Sequence, residues 1–82
     1  MQITFSQHAL RQLAERQITT HKVEQTILYP DKLFQQDGHR WRAIKTVKKQ
    51  KKQYCLVVIY DTVDSHKVVV TAFLTSKLQK YL

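Results

Sequence analysis

The sequence predicts an α+β domain, with two N-terminal helices packed on one face of a three- to four-stranded antiparallel sheet. Three observations predict it. Apolar residues recur at helical spacing before Pro30, and at strand spacing after it. The later apolar runs are separated by short polar turns, the pattern of a meander.

The elements follow in order. Gln2 to Phe5 alternates polar and apolar with β-branched Ile3 and Thr4, which suits a short edge strand. Ser6 is a suitable cap for the helix after it. From Gln7 to Gln17, the residues Leu10, Leu13 and Ala14 share one face, with Ala9 at its margin and Arg11, Gln12 and Glu15 opposite. Thr20 caps a second helix that gathers Val23, Ile27 and Leu28 and ends before Pro30, which disfavours helix at Tyr29. These helices, near 7–17 and 20–29, are expected to pack through Leu10, Leu13, Val23 and Ile27.

Strands are expected over 32–36, 39–47, 53–60 and 67–74. Asp37-Gly38 marks a hairpin turn. In the strand after it, Trp41, Ala43 and Val47 fall on one face and Arg40, Arg42 and Thr46 on the other. Lys48 to Lys52 reads as a basic connection and Asp61 to His66 as a loop. Tyr54 to Tyr60 is almost continuously apolar, as a strand covered on both faces requires. Thr75 to Leu82 is a terminal segment of one or two helical turns.

At 82 residues the chain is expected to form a single domain spanning 1–82, too small to enclose a large cofactor. Its apolar fraction of 43% is enough for a folded core. A formal net charge of +8 directs it toward a polyanion: nucleic acid, an anionic membrane or an acidic protein. Cys55 is the single cysteine, so neither an internal disulfide nor a cysteine-based zinc site is possible. No signal peptide is legible from Met1 to His8, and no apolar stretch is long enough to span a membrane. A cytoplasmic protein without membrane attachment is expected.

The most informative stretch runs from Arg40 to Lys52. Arg40, Arg42, Lys45, Lys48, Lys49, Lys51 and Lys52 lie there without an intervening acid, a stripe suited to phosphates. Trp41 lies inside it. Its alternation with the arginines favours a core position over a base-stacking one. His8, His21, His39 and His66 lack metal-ligand spacing, so neither a metal nor any other cofactor is expected. His8 falls in the first turn of the first helix, where the helix dipole disfavours a further positive charge. A neutral imidazole beside phosphate-binding cations is suited to act as a general base, although a surface or capping histidine is the plainer reading. Glycine-rich phosphate loops, nucleophile elbows and paired carboxylates are absent, which disfavours kinase, hydrolase-fold and glycosidase chemistry. Metal-free RNA cleavage needs only histidine, arginine, lysine and tyrosine.

The opening Phe5-Ser6-Gln7-His8-Ala9-Leu10, followed by Arg16 and Ile18, resembles the start of the DUF4258-type family of small bacterial proteins. The segment Tyr54 to Tyr60, the run Val68-Val69-Val70-Thr71-Ala72-Phe73 and the ending Thr75-Ser76-Lys77-Leu78-Gln79-Lys80-Tyr81 resemble its second half. That family is similar to the RelE and BrnT toxins of type II toxin–antitoxin systems. The resemblance implies a RelE-like fold and a metal-independent mRNA endoribonuclease, acting on free RNA or on the ribosome and neutralised by a cognate acidic antitoxin. By motif position it points to His8, Arg16, Thr71, Lys77 and Tyr81. Combined with the basic stripe, the expected catalytic set is His8, Arg40, Arg42, Lys77 and Tyr81. RNA is expected at Arg16, Arg40, Arg42, Lys45, Lys48, Lys49, Lys51 and Lys52. The alternative is a non-catalytic module of the same fold that binds RNA or an acidic protein through the same face.

Overall fold

The computed structural model describes residues 2–81. Its elements run β1 (Gln2–Phe5), α1 (Gln7–Arg16), α2 (Thr20–Leu28), β2 (Lys32–Asp37), β3 (Arg40–Lys49), β4 (Lys52–Val63), β5 (His66–Thr75) and α3 (Leu78–Tyr81). The strands form one five-stranded sheet in the order β1-β5-β4-β3-β2.

This sheet corrects the expected antiparallel sheet of three to four strands. β2 to β5 do form an antiparallel meander, but β1 joins the edge of β5 in parallel, pairing Gln2 with His66 and Phe5 with Val69. The result is a mixed sheet. The pairing has a physical cause: the meander leaves the outer backbone groups of β5 without partners, and β1 satisfies part of that edge. At the same time Ile3 and Phe5 pack against the core. Parallel strands need a long crossover, and here the helical pair and the whole meander supply it.

Alternation along β4 divides the core between the two faces. Leu56, Val58 and Tyr60 face α1 and α2, and pack with Leu13, Val23, Ile27, Ala43, Val69 and Ala72. Cys55 and Val57 face the other way, where with Ile44 they are covered by Phe73, Leu78 and Tyr81. The terminal helix, a single turn, is therefore the lid of a second, smaller core. Leu82 lies outside the described residues, so the terminal segment is described only as far as Tyr81.

The helix caps are those the sequence offers. The Ser6 hydroxyl accepts from the Ala9 N–H at 3.0 Å, and the Thr19 hydroxyl accepts from the Lys22 N–H at 3.2 Å. Thr19, rather than Thr20, is thus the cap of α2. One packing expectation fails. Leu10 is 44% exposed, whereas its neighbour Ala9 is fully buried. The helix is turned so that alanine's small side chain permits a close approach to the sheet. Ile18 completes the contact after Gln17 takes a left-handed conformation at the end of α1, with φ 56°.

Two connections are tighter than their polarity suggests. Lys48, Lys49 and Lys52 belong to strands, leaving Gln50 and Lys51 as a two-residue turn. Asp61 to Val63 extends β4, and β5 begins at His66. Strand pairing continues wherever backbone partners face each other, including where both sheet faces are solvated.

Candidate nucleic-acid interface

The fold sorts the basic stripe into four separate environments. Arg40 stands opposite Asp61 across β3 and β4. Its Nε donates to Oδ1 at 2.8 Å and its Nη2 to Oδ2 at 3.0 Å. The acid missing from the sequence stretch therefore comes from the next strand, and much of Arg40's charge is committed. Lys45 is also engaged: its Nζ donates to the Tyr29 carbonyl at 2.9 Å and so caps the end of α2.

Arg42 differs from both. It lies directly opposite Phe34 in the β2–β3 ladder. Its guanidinium carbon sits 5.2 Å from the Phe34 ring centre and 5.8 Å from that of Tyr81. Tyr81 is held in turn by edge-on contact with Phe73, with centres 6.0 Å apart and planes at 69°. Cation–π attraction to two rings stabilises a half-buried guanidinium. Yet Arg42 Nε is buried and has no hydrogen-bond acceptor among the described residues. Such an orphan donor costs about 1–3 kcal/mol. An anion at this site would relieve it.

Lys77 and Lys80 occupy the same terminal segment, with Lys80 Nζ 5.6 Å from the centre of the Tyr81 ring. Lys77 is exposed, and its backbone N–H donates to the Thr75 hydroxyl at 3.1 Å. The α3 side of the sheet thus brings Arg42, Tyr81 and this lysine-bearing turn together. Of the expected catalytic set, His8 stands apart. It is an exposed residue in the first turn of α1, whose Ala9 and Leu13 pack on the opposite face of the sheet.

Arg16 and Thr71, both carried by the resemblance, meet at the sheet edge. Arg16 Nη1 donates to the Thr71 hydroxyl at 3.2 Å and to the Ala72 carbonyl at 2.7 Å. The Thr71 hydroxyl donates to Gln12 Oε1 at 2.5 Å. This cluster closes the part of β5 that β1 leaves unpaired, a structural task.

The fourth environment is the tip of the β3–β4 hairpin. Lys48, Lys49, Lys51 and Lys52 are all exposed there. Lys22 of α2 approaches from the helical layer, lining with Lys48 and Lys49 a crevice floored by Ile18 and Leu56. Sequence reasoning missed Lys22 and Phe34. Counting the ladder back from the Asp37-Gly38 turn would have placed Phe34 near Arg42, but Lys22 leaves no such signal.

Burial pushes the Cys55 thiol up, away from the reactive thiolate. No group of three or more His, Cys, Asp or Glu among the described residues is placed to hold a metal ion. No helix among them is long and apolar enough to cross a membrane.

Residues 5–74 match the family described as "Domain of unknown function (DUF4258)". No curated protein matches the chain, and no solved structure does.

Proposed function

This chain belongs to the DUF4258 family, and from that premise we propose that it is an RNA-contacting protein of toxin type. In this reading one domain spans the chain and acts in the cytoplasm as a metal-independent mRNA endoribonuclease. An acidic antitoxin protein restrains it. The reading rests on the similarity of the DUF4258 family to the RelE and BrnT toxins, and above all on Arg42. A half-buried guanidinium between two rings, with one donor unanswered, is suited to a phosphate with a base nearby.

The chemistry follows from the groups on that side of the sheet. Arg42 and Lys77 hold the scissile phosphate and offset its growing charge. The ribose 2′-oxygen attacks phosphorus as its proton passes to a basic group, for which Tyr81 and the lysines of the terminal turn are the neighbours. The bond to the 5′-oxygen breaks, that oxygen takes up a proton, and a 2′,3′-cyclic phosphate remains. Arg40 and Lys45, committed to Asp61 and Tyr29, contribute positive field, and the hairpin lysines contribute phosphate contacts.

One observation favours a second reading, the non-catalytic RNA-binding module. The chain's best-suited proton acceptor, His8, lies on the other face of the sheet from Arg42.

Induced expression, followed by purified protein on RNA with and without ribosomes, separates the two. The ribonuclease reading expects growth arrest and cleavage that survives a chelator. Tyr81→Phe should slow cleavage by about 10²–10⁴ if the hydroxyl moves a proton, with RNA affinity retained. Arg42→Gln should weaken both affinity and cleavage. RNA binding without cleavage in either assay would leave the binding module standing.

A further inference from the structure

Pairing of β3 with β2 extends only to Ile44, and pairing of β4 with β5 only to Cys55. Beyond those limits β3 and β4 continue as a two-stranded ribbon, with Lys48 opposite Gln53 and Lys49 opposite Lys52. We infer that this ribbon tip is a second nucleic-acid contact, one that holds the phosphates of a double-helical segment. The inference deepens the RNA reading above and rests on it for the class of polyanion, but it does not depend on cleavage.

Three features at the tip work against stability, and each favours cation display. Gln50 and Lys51 both adopt positive φ, 52° and 66°, in a turn where Asn-Gly would fit with less strain. Lys49 and Lys52 place like charges directly opposite each other, an unfavourable cross-strand pair. None of the four tip lysines forms an ion pair with an acid among the described residues, so their charge is not offset. Local rules broken together at one place mark function more often than accident.

The chemistry of the tip selects the ligand. Residues 48–53 contain no aromatic ring. Recognition of single strands draws on stacking against rings, which Phe34 and Tyr81 can supply and the tip cannot. A double helix instead presents closely spaced phosphates, to which lysines suffice. Lys48, six residues along β3 from Arg42 and on the same face by strand alternation, lies about 20 Å from it at roughly 3.3 Å per residue. The two contacts are therefore distinct stations on one surface, suited to an RNA in which a single strand adjoins a stem.

The test measures binding of the full chain to an RNA duplex, a DNA duplex of the same sequence and an unstructured single strand, across a salt series. The variant K48A/K49A/K51A/K52A should lose about tenfold or more in duplex affinity. At about 0.9 per phosphate contact, its plot of log affinity against log salt should flatten by about 3.6. Single-strand affinity should change less, and Arg42→Gln should show the reverse pattern. A second variant, Q50N/K51G, relaxes the turn. It should raise Tm and still flatten the duplex plot by about 0.9, which separates binding from folding. Unchanged duplex affinity in the quadruple variant overturns the inference, as does equal loss for duplex and single strand. Binding of single strands but neither duplex overturns it while leaving the RNA reading intact. Binding of no nucleic acid overturns both, and binding of the DNA duplex alone keeps the ribbon's phosphate role while overturning the RNA reading.

Discussion

Arg40 and Asp61 face each other across the open end of the β3–β4 hairpin and close a two-pronged ion pair at 2.8 and 3.0 Å. The hydrogen bond from Arg40 holds the Asp61 carboxyl below the ordinary aspartate range, against a smaller upward push from burial. The nearby charges of Arg40 and His39 lower it further, and the same contact raises Arg40.

A pH dependence of stability follows. A carboxyl depressed in the folded state contributes fully above its unfolded value of about 3.9. That contribution fades as the pH falls through the lower folded value. Thermal melts of the wild type and Asp61→Asn should therefore differ near neutrality and converge in acid. Because the pair is solvent-facing, the neutral gap should be small and should shrink with added salt. A gap that persists unchanged to the acid end would show that the pair does not titrate.

Arg16 makes a different prediction. Its two bonds tie α1 to the open edge of β5, one of them to a backbone carbonyl at 2.7 Å. Hydrogen bonds from a charged donor are worth about 1.5–3 kcal/mol, and partial exposure brings Arg16→Ala to the lower end of that range. Urea denaturation reads the loss directly. A change within experimental error would mean that water replaces the guanidinium at no cost.

The turned face of α1 sets up a paired comparison. Leu13 is 2% exposed, so Leu13→Ala should cost about 2–5 kcal/mol. Leu10, despite its helical spacing, is 44% exposed, and Leu10→Ala should stay within about 0.5 kcal/mol. Equal losses at the two positions would contradict the helix orientation described above.

What was legible in the sequence was local. The apolar run of β4, the end of α2 before Pro30 and the Asp37-Gly38 turn each carry their signal within a few residues. The parallel pairing of β1 was not legible, because its partner begins 64 residues later at His66. The extra strand length at Lys48, Lys49 and Lys52 was hidden because polar residues on both faces resemble a loop. The candidate site divides in the same way. Its cations were visible as a cluster, but Asp61 and the Tyr29 carbonyl, which engage Arg40 and Lys45, lie 21 and 16 residues away. Arg42 is set apart from its neighbours by cross-strand register and by the return of Tyr81, which only the folded chain supplies.

The lane that β1 occupies beside β5 also orders events in time. β1 is synthesised well before its ladder partners, His66 to Val69, which emerge 64 residues after it. Contacts so distant in sequence form late, after the entropy of closing the long intervening segment has been overcome. Until then Ile3 and Phe5 have no strand to pair beside, and the growing meander presents β4 as a bare edge. A nascent chain stalled before β5 therefore exposes two unpaired strands at once, the condition under which a partly made sheet recruits a neighbour instead of itself.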